Sequence, residues 1–306
     1  MRVSVIVCTH NPYEMFFRKT LEFLKNQSVS KHEWELIIID NNSSYLLNSV
    51  YNLSWHPNSR IIREDNIGLT NARLRGISES RGDLLLFVDD DNFLRYDYIE
   101  KAIIIADTWQ HIGAFGGSQI GEFEIAPEHW AVPLLTNLAV RKVDSPKWTN
   151  VKGIFDATPF GAGLCVRAFI AKAYAERCEN SIYSRSLDRS GGILLSGGDL
   201  DMVWGACDMG YGMMITPELE LTHGIKAGRV EKSHLIRQIE ANTMSAVILH
   251  YIHNLKIPKR SFLRNLFDKL NTFRLSGIHR LVKVAELNGA INGHRFIEEL
   301  RERNRP

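Results

Sequence analysis

Three consecutive carboxylates, Asp89, Asp90 and Asp91, follow directly on the apolar run Leu84-Leu85-Leu86-Phe87-Val88. Adjacent acids at the end of a buried strand repel one another, and a hard cation or a cluster of cations has to offset that repulsion. A divalent metal that also bridges phosphates is the most economical compensation; an acidic turn capping a helix that begins near Tyr96 is the plainer alternative. A second group runs from Asn66 to Gly76, where Gly68 opens a helix whose first turns present Asn71, Arg73 and free backbone amides. Helix starts of this kind suit a phosphate-bearing ligand, although a solvated helix face carries the same residue types.

Such groups need a scaffold that brings them to one place. Residues 3–8, 36–39 and 84–88 are short apolar runs rich in Val, Ile and Leu, each ended by a polar cluster, and read as strands buried on both faces. Helical patterns lie between and after them, over 13–26 (with Phe16, Phe17, Leu21 and Leu24), 68–80 and 96–110. Alternating strands and helices imply an α/β fold with a mostly parallel sheet flanked by helices. Ligands in such sheets bind beyond the carboxyl ends of the strands. Those ends carry Thr9-His10-Asn11, Asp40-Asn41-Asn42 and Asp89-Asp90-Asp91-Asn92.

Past residue 112 the pattern loosens into Gly113, Gly116, Gly117 and Gly121, and 125–159 reads as an irregular, loop-rich stretch holding Trp130 and Trp148. Helices are expected over 167–178 and from Asp199, and a strand over 213–216. A helical C-terminal extension then follows, over 230–255, 261–270, 278–287 and 294–303. Charge divides the chain as well: residues 1–224 hold 21 Lys and Arg against 28 Asp and Glu, a balance of −7, whereas 225–306 hold 16 against 7, a balance of +9. A domain over 1–224 and a basic helical region over 225–306 are expected to do different work.

The motifs Ser4-Val5-Ile6-Val7-Cys8-Thr9-His10-Asn11, Ile39-Asp40-Asn41-Asn42-Ser43, Asn66-x-Gly68 with Ala72-Arg73 and Gly76, and Phe87-Val88-Asp89-Asp90-Asp91 resemble, in order and spacing, the family 2 glycosyltransferases. The resemblance covers residues 1 to about 224. It implies a GT-A fold and an inverting transfer from a nucleotide-diphosphate sugar, a UDP-sugar by preference, with Mn²⁺ or Mg²⁺ as cofactor. By the same resemblance Thr9 and Asp40 contact the base and ribose, Arg73 lies near the nucleotide, and Asn11, Asn42, Asn66 and Asp90 belong to the donor site. Asp89 and Asp91 become the metal-binding D-x-D, with His223 as a further ligand because some members carry a metal-ligating His there. The family's Glu-Asp pair, whose Asp is the catalytic base, falls on Gly198-Asp199, so Gly198 replaces the Glu. Asp199 is then the expected base, with Asp201 the alternative. Inversion asks for such a group, since the acceptor hydroxyl must lose its proton as its oxygen attacks the anomeric carbon. A carboxylate at a helix start can stay ionised, and a helix N-cap uses Asp199 equally well.

Trp130 and Trp204 are candidates to stack on an acceptor sugar, or are core residues. The acceptor expected from the resemblance is a glycan or a lipid-linked saccharide. Lys256, Lys259, Arg260, Arg264 and Lys269 beside Phe262, Leu263, Leu266 and Phe267 form an amphipathic basic segment that suits an anionic membrane surface; a homodimer or packing on the catalytic domain is the alternative. A composition of 44% hydrophobic and 24% charged residues excludes disordered and fibrous classes. No apolar run approaches the roughly twenty residues of a membrane span, and no secretory leader is expected. Four cysteines without C-x-x-C spacing argue against a zinc site or a disulfide framework, and a cytoplasmic location is expected, with a peripheral place on the inner membrane face as the variant that the basic segment suggests. A haloacid-dehalogenase-type phosphohydrolase would carry its D-x-D near the chain start, and a nicotinamide oxidoreductase would need G-x-G-x-x-G where Thr9-His10-Asn11-Pro12 stands. A non-catalytic nucleotide-sugar or glycan binder remains as the rival, and no nucleic-acid partner is expected.

Overall fold

The computed structural model describes residues 1–188, 195–257 and 260–303, without the side chains of Phe262 and Arg303. In chain order the elements are β1 (Val3–Thr9), α1 (Glu14–Lys25), β2 (Trp34–Asp40), β3 (Ser59–Arg63), α2 (Leu69–Glu79), β4 (Leu84–Asp89), β5 (Asn92–Leu94), α3 (Tyr98–Thr108), β6 (Ile112–Phe123), β7 (Lys147–Thr149) and β8 (Leu164–Arg167). There follow α4 (Ala168–Asn180), α5 (Ile182–Arg185), α6 (Gly198–Asp208), β9 (Gly212–Ile225), α7 (Lys232–Ile252), α8 (Phe262–Thr272) and α9 (Gly277–Arg303). The nine strands form one sheet in the order β3-β2-β1-β4-β8-β6-β9-β5, with β7 paired to β9.

The first half, β3-β2-β1-β4, is parallel as the apolar runs imply. Their residues alternate between two cores, as a period of two requires. Val3, Val5, Val7, Leu36, Ile38, Leu84 and Leu86 pack with α1 and α3, whereas Ile6, Ile37, Ile39, Leu85 and Phe87 pack with α2, α4, α6 and α7. The register pairs Thr9 with Asp40 and Cys8 with Asp89, so the three polar clusters end level with one another at one edge.

The second half is mixed rather than parallel. β8 runs antiparallel to β4 and β6, β9 runs parallel to β6, and β5 and β7 run antiparallel to β9. The glycine-rich pieces after residue 112, expected to be irregular, are in fact the twelve-residue strand β6. Its glycines are steric necessities: a Cβ on Gly117 would stand 1.8 Å from the Leu219 carbonyl oxygen, and one on Gly113 would stand 2.3 Å from Ile170 Cδ1. Close packing thus removes the side chains that would have announced the strand. The strand expected over 213–216 extends to fourteen residues as β9 and carries His223 within it. Residues 125–159 are largely irregular, with two 3₁₀ helices, Val132–Leu138 and Phe155–Ala157, and the short β7.

The two helices expected over 278–287 and 294–303 are one continuous helix, α9. Gly289 and Gly293 do not break it because they are contact points: a Cβ on Gly289 would lie 2.3 Å from the Glu240 carbonyl oxygen, and one on Gly293 would lie 2.8 Å from Val247 Cβ, both on α7. The boundary drawn at 224/225 falls one residue before the end of β9, and α7 packs into the second core through Ile248 and Leu249.

Candidate active site

A cavity of about 980 Å³ opens at the carboxyl edge of the parallel strands, a size that suits a nucleotide-sized ligand. Thr9 and His10 reach it from β1, Asn41 from the β2 end, Gly68, Leu69 and Arg73 from α2, and Asp89, Asp90 and Asp91 from the end of β4. Gly161, Asp199 and Leu200 line it as well, with His223 from β9, Arg229 from the β9–α7 connection, and Gln238 and Asn242 from α7. The irregular stretch contributes Asn137, whose Oδ1 accepts a hydrogen bond from Asn242 Nδ2 at 3.2 Å.

The acidic end of β4 is held by its own neighbours. Asn92 Oδ1 accepts from the Asp89 amide at 3.1 Å, and Asn92 Nδ2 donates to Asp91 Oδ1 at 3.1 Å. Thr9 Oγ1 donates to Asp90 Oδ2, and Thr20 Oγ1 donates to the Asp90 carbonyl at 3.0 Å. Desolvation, then the charges of Asp91 and Asp89, push the Asp90 carboxyl up to about 7 against the opposing Thr9 hydrogen bond and Lys226. The cluster therefore carries the mutual repulsion that its sequence implies.

Asp91 Oδ1 and His223 Nε2 face each other at 3.5 Å because β5 pairs Asn92 with His223. Two donors on one cation, each about 2.1 Å from it, stand roughly 3 Å apart. Asp91 and His223 are thus spaced nearly as two donors on one cation, and the buried His223 Nδ1 has no hydrogen-bond partner. The Arg229 guanidinium now stands between them, 3.5 Å from Asp91 Oδ2 and 3.4 Å from His223 Nε2. Among the described residues no three His, Cys, Asp or Glu side chains are grouped closely enough to hold a metal. A cation at Asp89, Asp91 and His223 accordingly requires Arg229 to swing away.

Asp199 sits at the start of α6, where the backbone N–H groups of Leu200 and Gly161 donate to it. Desolvation raises its pKa; Arg73 opposes this, and the Asp188 charge adds to it. A Cβ on Gly161 would lie 2.7 Å from Asp199 Oδ2 and 3.2 Å from Arg73 Nη2, so only glycine fits between them. Arg73 is buried and its Nη1 donates to Asp188 Oδ2 at 2.9 Å. Burial works against its charge, but Asp188 and Asp199 more than compensate and keep the guanidinium protonated.

Asp201, the alternative base, faces the opposite way. Its side chain is fully buried, with Oδ1 accepting from Arg177 Nη2 at 2.8 Å and from His253 Nε2 at 2.9 Å, and it does not reach the cavity. Trp204, a stacking candidate, is also fully buried in the second core. Trp130 packs in a small cluster beside Leu138 and Ile225 under Lys232, away from the cavity lining.

Four further residues read from sequence as donor-site residues do not line the cavity. Asp40 is buried, with Oδ1 accepting from the Ser43 amide at 2.9 Å and Oδ2 from Arg63 at 3.1 Å. Asn42 Oδ1 accepts from the same Arg63, Asn11 Oδ1 accepts from the Ser44 amide at 2.8 Å, and the Asn66 side chain bonds Glu64. The cavity takes Asn41 instead. Its Nδ2 donates to the Glu64 and Asn66 carbonyls at 3.2 and 2.7 Å, and its Oδ1 accepts from the Gly68 amide at 2.8 Å, so it holds the loop that opens α2. Sequence reading named this cluster but took its flanks. His10 stood in the first motif without being singled out, whereas Gly161, Asp188, Arg229, Gln238 and Asn242 carried no motif that marked them.

Residues 4–169 match the profile of the family described as Glycosyl transferase family 2. Among curated proteins, the chain is similar to EpsH of Bacillus subtilis (strain 168), which carries a glycosyltransferase name, at 26% identity over 50% of this chain and 43% of that protein. It is also similar to the glycosyltransferase GlyA of Streptococcus pneumoniae serotype 4, at 28% identity over 32% of this chain and 14% of that one. The chain therefore spans less than half the length of these relatives. Among solved structures, S. aureus TarS 1-349 superposes with a TM-score of 0.53 at 14% identity, covering 98% of this chain and 92% of that one. The same protein in complex with UDP-GlcNAc gives 0.52 at 13% identity, with the same coverage of both chains. At these identities the likeness is one of fold, that of the GT-A glycosyltransferases.

Proposed function

Because the chain belongs to glycosyl transferase family 2, we propose that it is an inverting enzyme that moves a sugar from a nucleotide-diphosphate sugar, a UDP-sugar by preference, to a hydroxyl of a glycan or lipid-linked acceptor. The observation that carries this reading is that Asp89, Asp90 and Asp91 line the same cavity as Asp199, so an acidic cluster suited to anchoring a donor and a carboxylate suited to act as base border one space. A TarS structure holding UDP-GlcNAc on the same fold supports the donor class.

Asp199 takes the proton of the acceptor hydroxyl as its oxygen attacks the anomeric carbon, and the bond to the nucleotide diphosphate breaks on the opposite face. Desolvation raises the Asp199 pKa, and the charge of Arg73 and the amides of Leu200 and Gly161 oppose that rise. Thr9, His10 and Asn41 are placed to meet the nucleoside end, and Gln238 and Asn242 line the wall available to the acceptor. Asp89, Asp91 and His223 would hold Mn²⁺ or Mg²⁺, which supplies Lewis-acid stabilisation of the departing diphosphate. Incubation with a panel of UDP-sugars, reading UDP release with and without saccharide acceptors, tests the assignment. Acceptor-stimulated release that Asp199→Asn removes is the expected result; donor binding without any release would leave a sugar-nucleotide binding protein.

The partner reading extends to an anionic membrane surface. No helix among the described residues is long and apolar enough to cross a membrane. Yet α8 presents Leu263 at 75% exposure and Phe267 at 64%, together with exposed Leu266, Leu270 and Phe273. Arg264, Lys269 and Arg274 stand among them, although Asp268 pairs with Arg260 at 3.3 Å and reduces the net charge. Lys259 and the Phe262 side chain lie outside the described residues. An apolar face edged with cations suits the interface of an anionic bilayer, where each Lys or Arg contributes on the order of 1 kcal/mol. Co-sedimentation with anionic vesicles that fades in salt and in Phe267→Glu supports this. No sedimentation, with a dimer in solution that Phe267→Glu dissociates, would assign the face to a second copy.

A further inference from the structure

Position 198 carries no side chain, yet the volume beside it holds a carboxylate. A Cβ built on Gly198 would stand 2.3, 2.7 and 2.9 Å from Asp188 Oδ2, Cγ and Oδ1, so Asp188 fills the space that a residue at 198 would enter. From there Asp188 Oδ2 accepts from Arg73 Nη1 at 2.9 Å and from Thr70 Oγ1 at 3.0 Å, and Oδ1 accepts from the Gly198 amide at 3.1 Å. We propose that Asp188 is a positioning acid of this active site: a carboxylate supplied from ten residues upstream that ties α2 to the start of α6, fixes Arg73, and so sets Asp199 at the cavity.

The contacts explain why the group is tolerated. A carboxylate only 6% exposed is costly unless charged and uncharged donors satisfy both oxygens, and here one guanidinium, one hydroxyl and one amide do so. Two of the three donors lie on α2 and the third opens α6, so the bond set fixes the distance between the helices that carry Arg73 and Asp199. Asp188 does not itself line the cavity, which separates it from the groups that touch substrate. Its charge acts on Asp199 in two opposed ways: directly it makes ionisation harder, and through Arg73 it holds in place the cation that makes ionisation easier. With Asp188 gone, the direct repulsion on Asp199 is lost, but Arg73 also loses the carboxylate that fixes it beside Asp199 and keeps only Asp199 and the more distant charge of Asp89. The two changes oppose each other in the pKa of Asp199, so the loss of Asp188 is read in turnover.

The inference rests on the reading of Asp199 as base, and the same experiment tests the two separately. Asp188→Asn, Asp188→Gly, Gly198→Glu, the double variant Asp188→Gly/Gly198→Glu and Asp199→Asn are compared in UDP release from a UDP-sugar across pH, in thermal unfolding, and in UDP binding by calorimetry. Asp188→Asn is expected to lower kcat by about 10- to 100-fold with KM for the donor changed less than about threefold. Gly198→Glu alone forces two carboxylates into one space and lowers both Tm and kcat. The double variant restores one carboxylate to that space and recovers kcat at least tenfold over Asp188→Gly. A folded double variant no more active than Asp188→Gly, or a folded Asp188→Asn with the kcat of the parent, overturns the positioning role. Full activity in Asp199→Asn overturns the base assignment instead, whatever the double variant does.

Discussion

Two carboxylates two residues apart on α6, Asp199 and Asp201, should respond in opposite ways to the same change. Asp201→Asn removes the charge that meets both Arg177 and His253 in a site with no exposed side-chain area on the acid. Taking one partner from a buried ion pair costs about 3–5 kcal/mol. Arg177 is 28% exposed, so water takes up part of its charge and the expectation falls to about 2–4 kcal/mol. For a chain of this length that is a fall in Tm of about 3–6 °C. At a temperature where the variant stays folded, its kcat should remain within about threefold of the parent, because Asp201 does not reach the cavity. Asp199→Asn relieves a desolvated charge while Arg73 keeps Asp188, so Tm should move by less than about 2 °C. Its kcat should fall by about 10² to 10⁴ for want of a proton acceptor. Differential scanning fluorimetry and the initial rate of UDP release measure both quantities on the same samples. A collapse of kcat in Asp201→Asn at unchanged Tm, with a mild Asp199→Asn, would refute the assignment and move the base two residues along.

Three further outcomes are expected. Asp199 must be ionised to accept a proton and its pKa is raised, chiefly by desolvation, so kcat should fall on the acid side at a higher pH than for an ordinary carboxylate; a pH–rate profile flat down to pH 4 would refute this. Excess chelator should abolish UDP release, and Asp91→Asn should weaken UDP-sugar binding in calorimetry with Mn²⁺; undiminished turnover in chelator removes the metal from the reaction. Gly117→Ala drives a methyl group to 1.8 Å from the Leu219 carbonyl oxygen and should lower stability by about 3 kcal/mol or more, whereas Gly228→Ala, with nothing within 4 Å, should stay within about 0.5 kcal/mol in urea unfolding.

The half of the fold that was legible in the sequence is the half in which burial is written as apolar side chains. Strands β1, β2 and β4 are covered on both faces, so their alternation vanishes into continuous Val, Ile and Leu, a pattern short enough to mean strand. β6 is as deeply buried, but it lies so close to Leu219 and Ile170 that glycine replaces the apolar signal. The same exchange at Gly289 and Gly293 split α9 in two on paper. At the site, the strand ends were visible because polar clusters stop the apolar runs. Which member of each cluster faces the ligand was not, because Asn11, Asp40 and Asn42 are turned toward Ser44, Ser43 and Arg63. Asp188 and Arg229 were silent for a different reason. Each acts on residues at least six positions away in sequence, and a lone acid or base within a polar stretch has no spacing from which its partner can be inferred.

The two sides of α7 set up a division of labour. Gln238, Asn242, Ser245 and Leu249 recur at helical spacing along the side that borders the cavity, while Glu240 and Val247 border the side pressed on Gly289 and Gly293 of α9, and Thr243 stands at the edge shared by both. With only hydrogen where side chains would stand, α9 leaves no slack behind the wall. The cavity can then be reshaped along two separate routes: exchange of residues on the cavity stripe alters chemistry at fixed shape, and a methyl group added at 289 or 293 tilts the whole wall at fixed chemistry. The C-terminal helix is thereby a remote lever on the shape of the cavity, reachable without changing any residue of its lining.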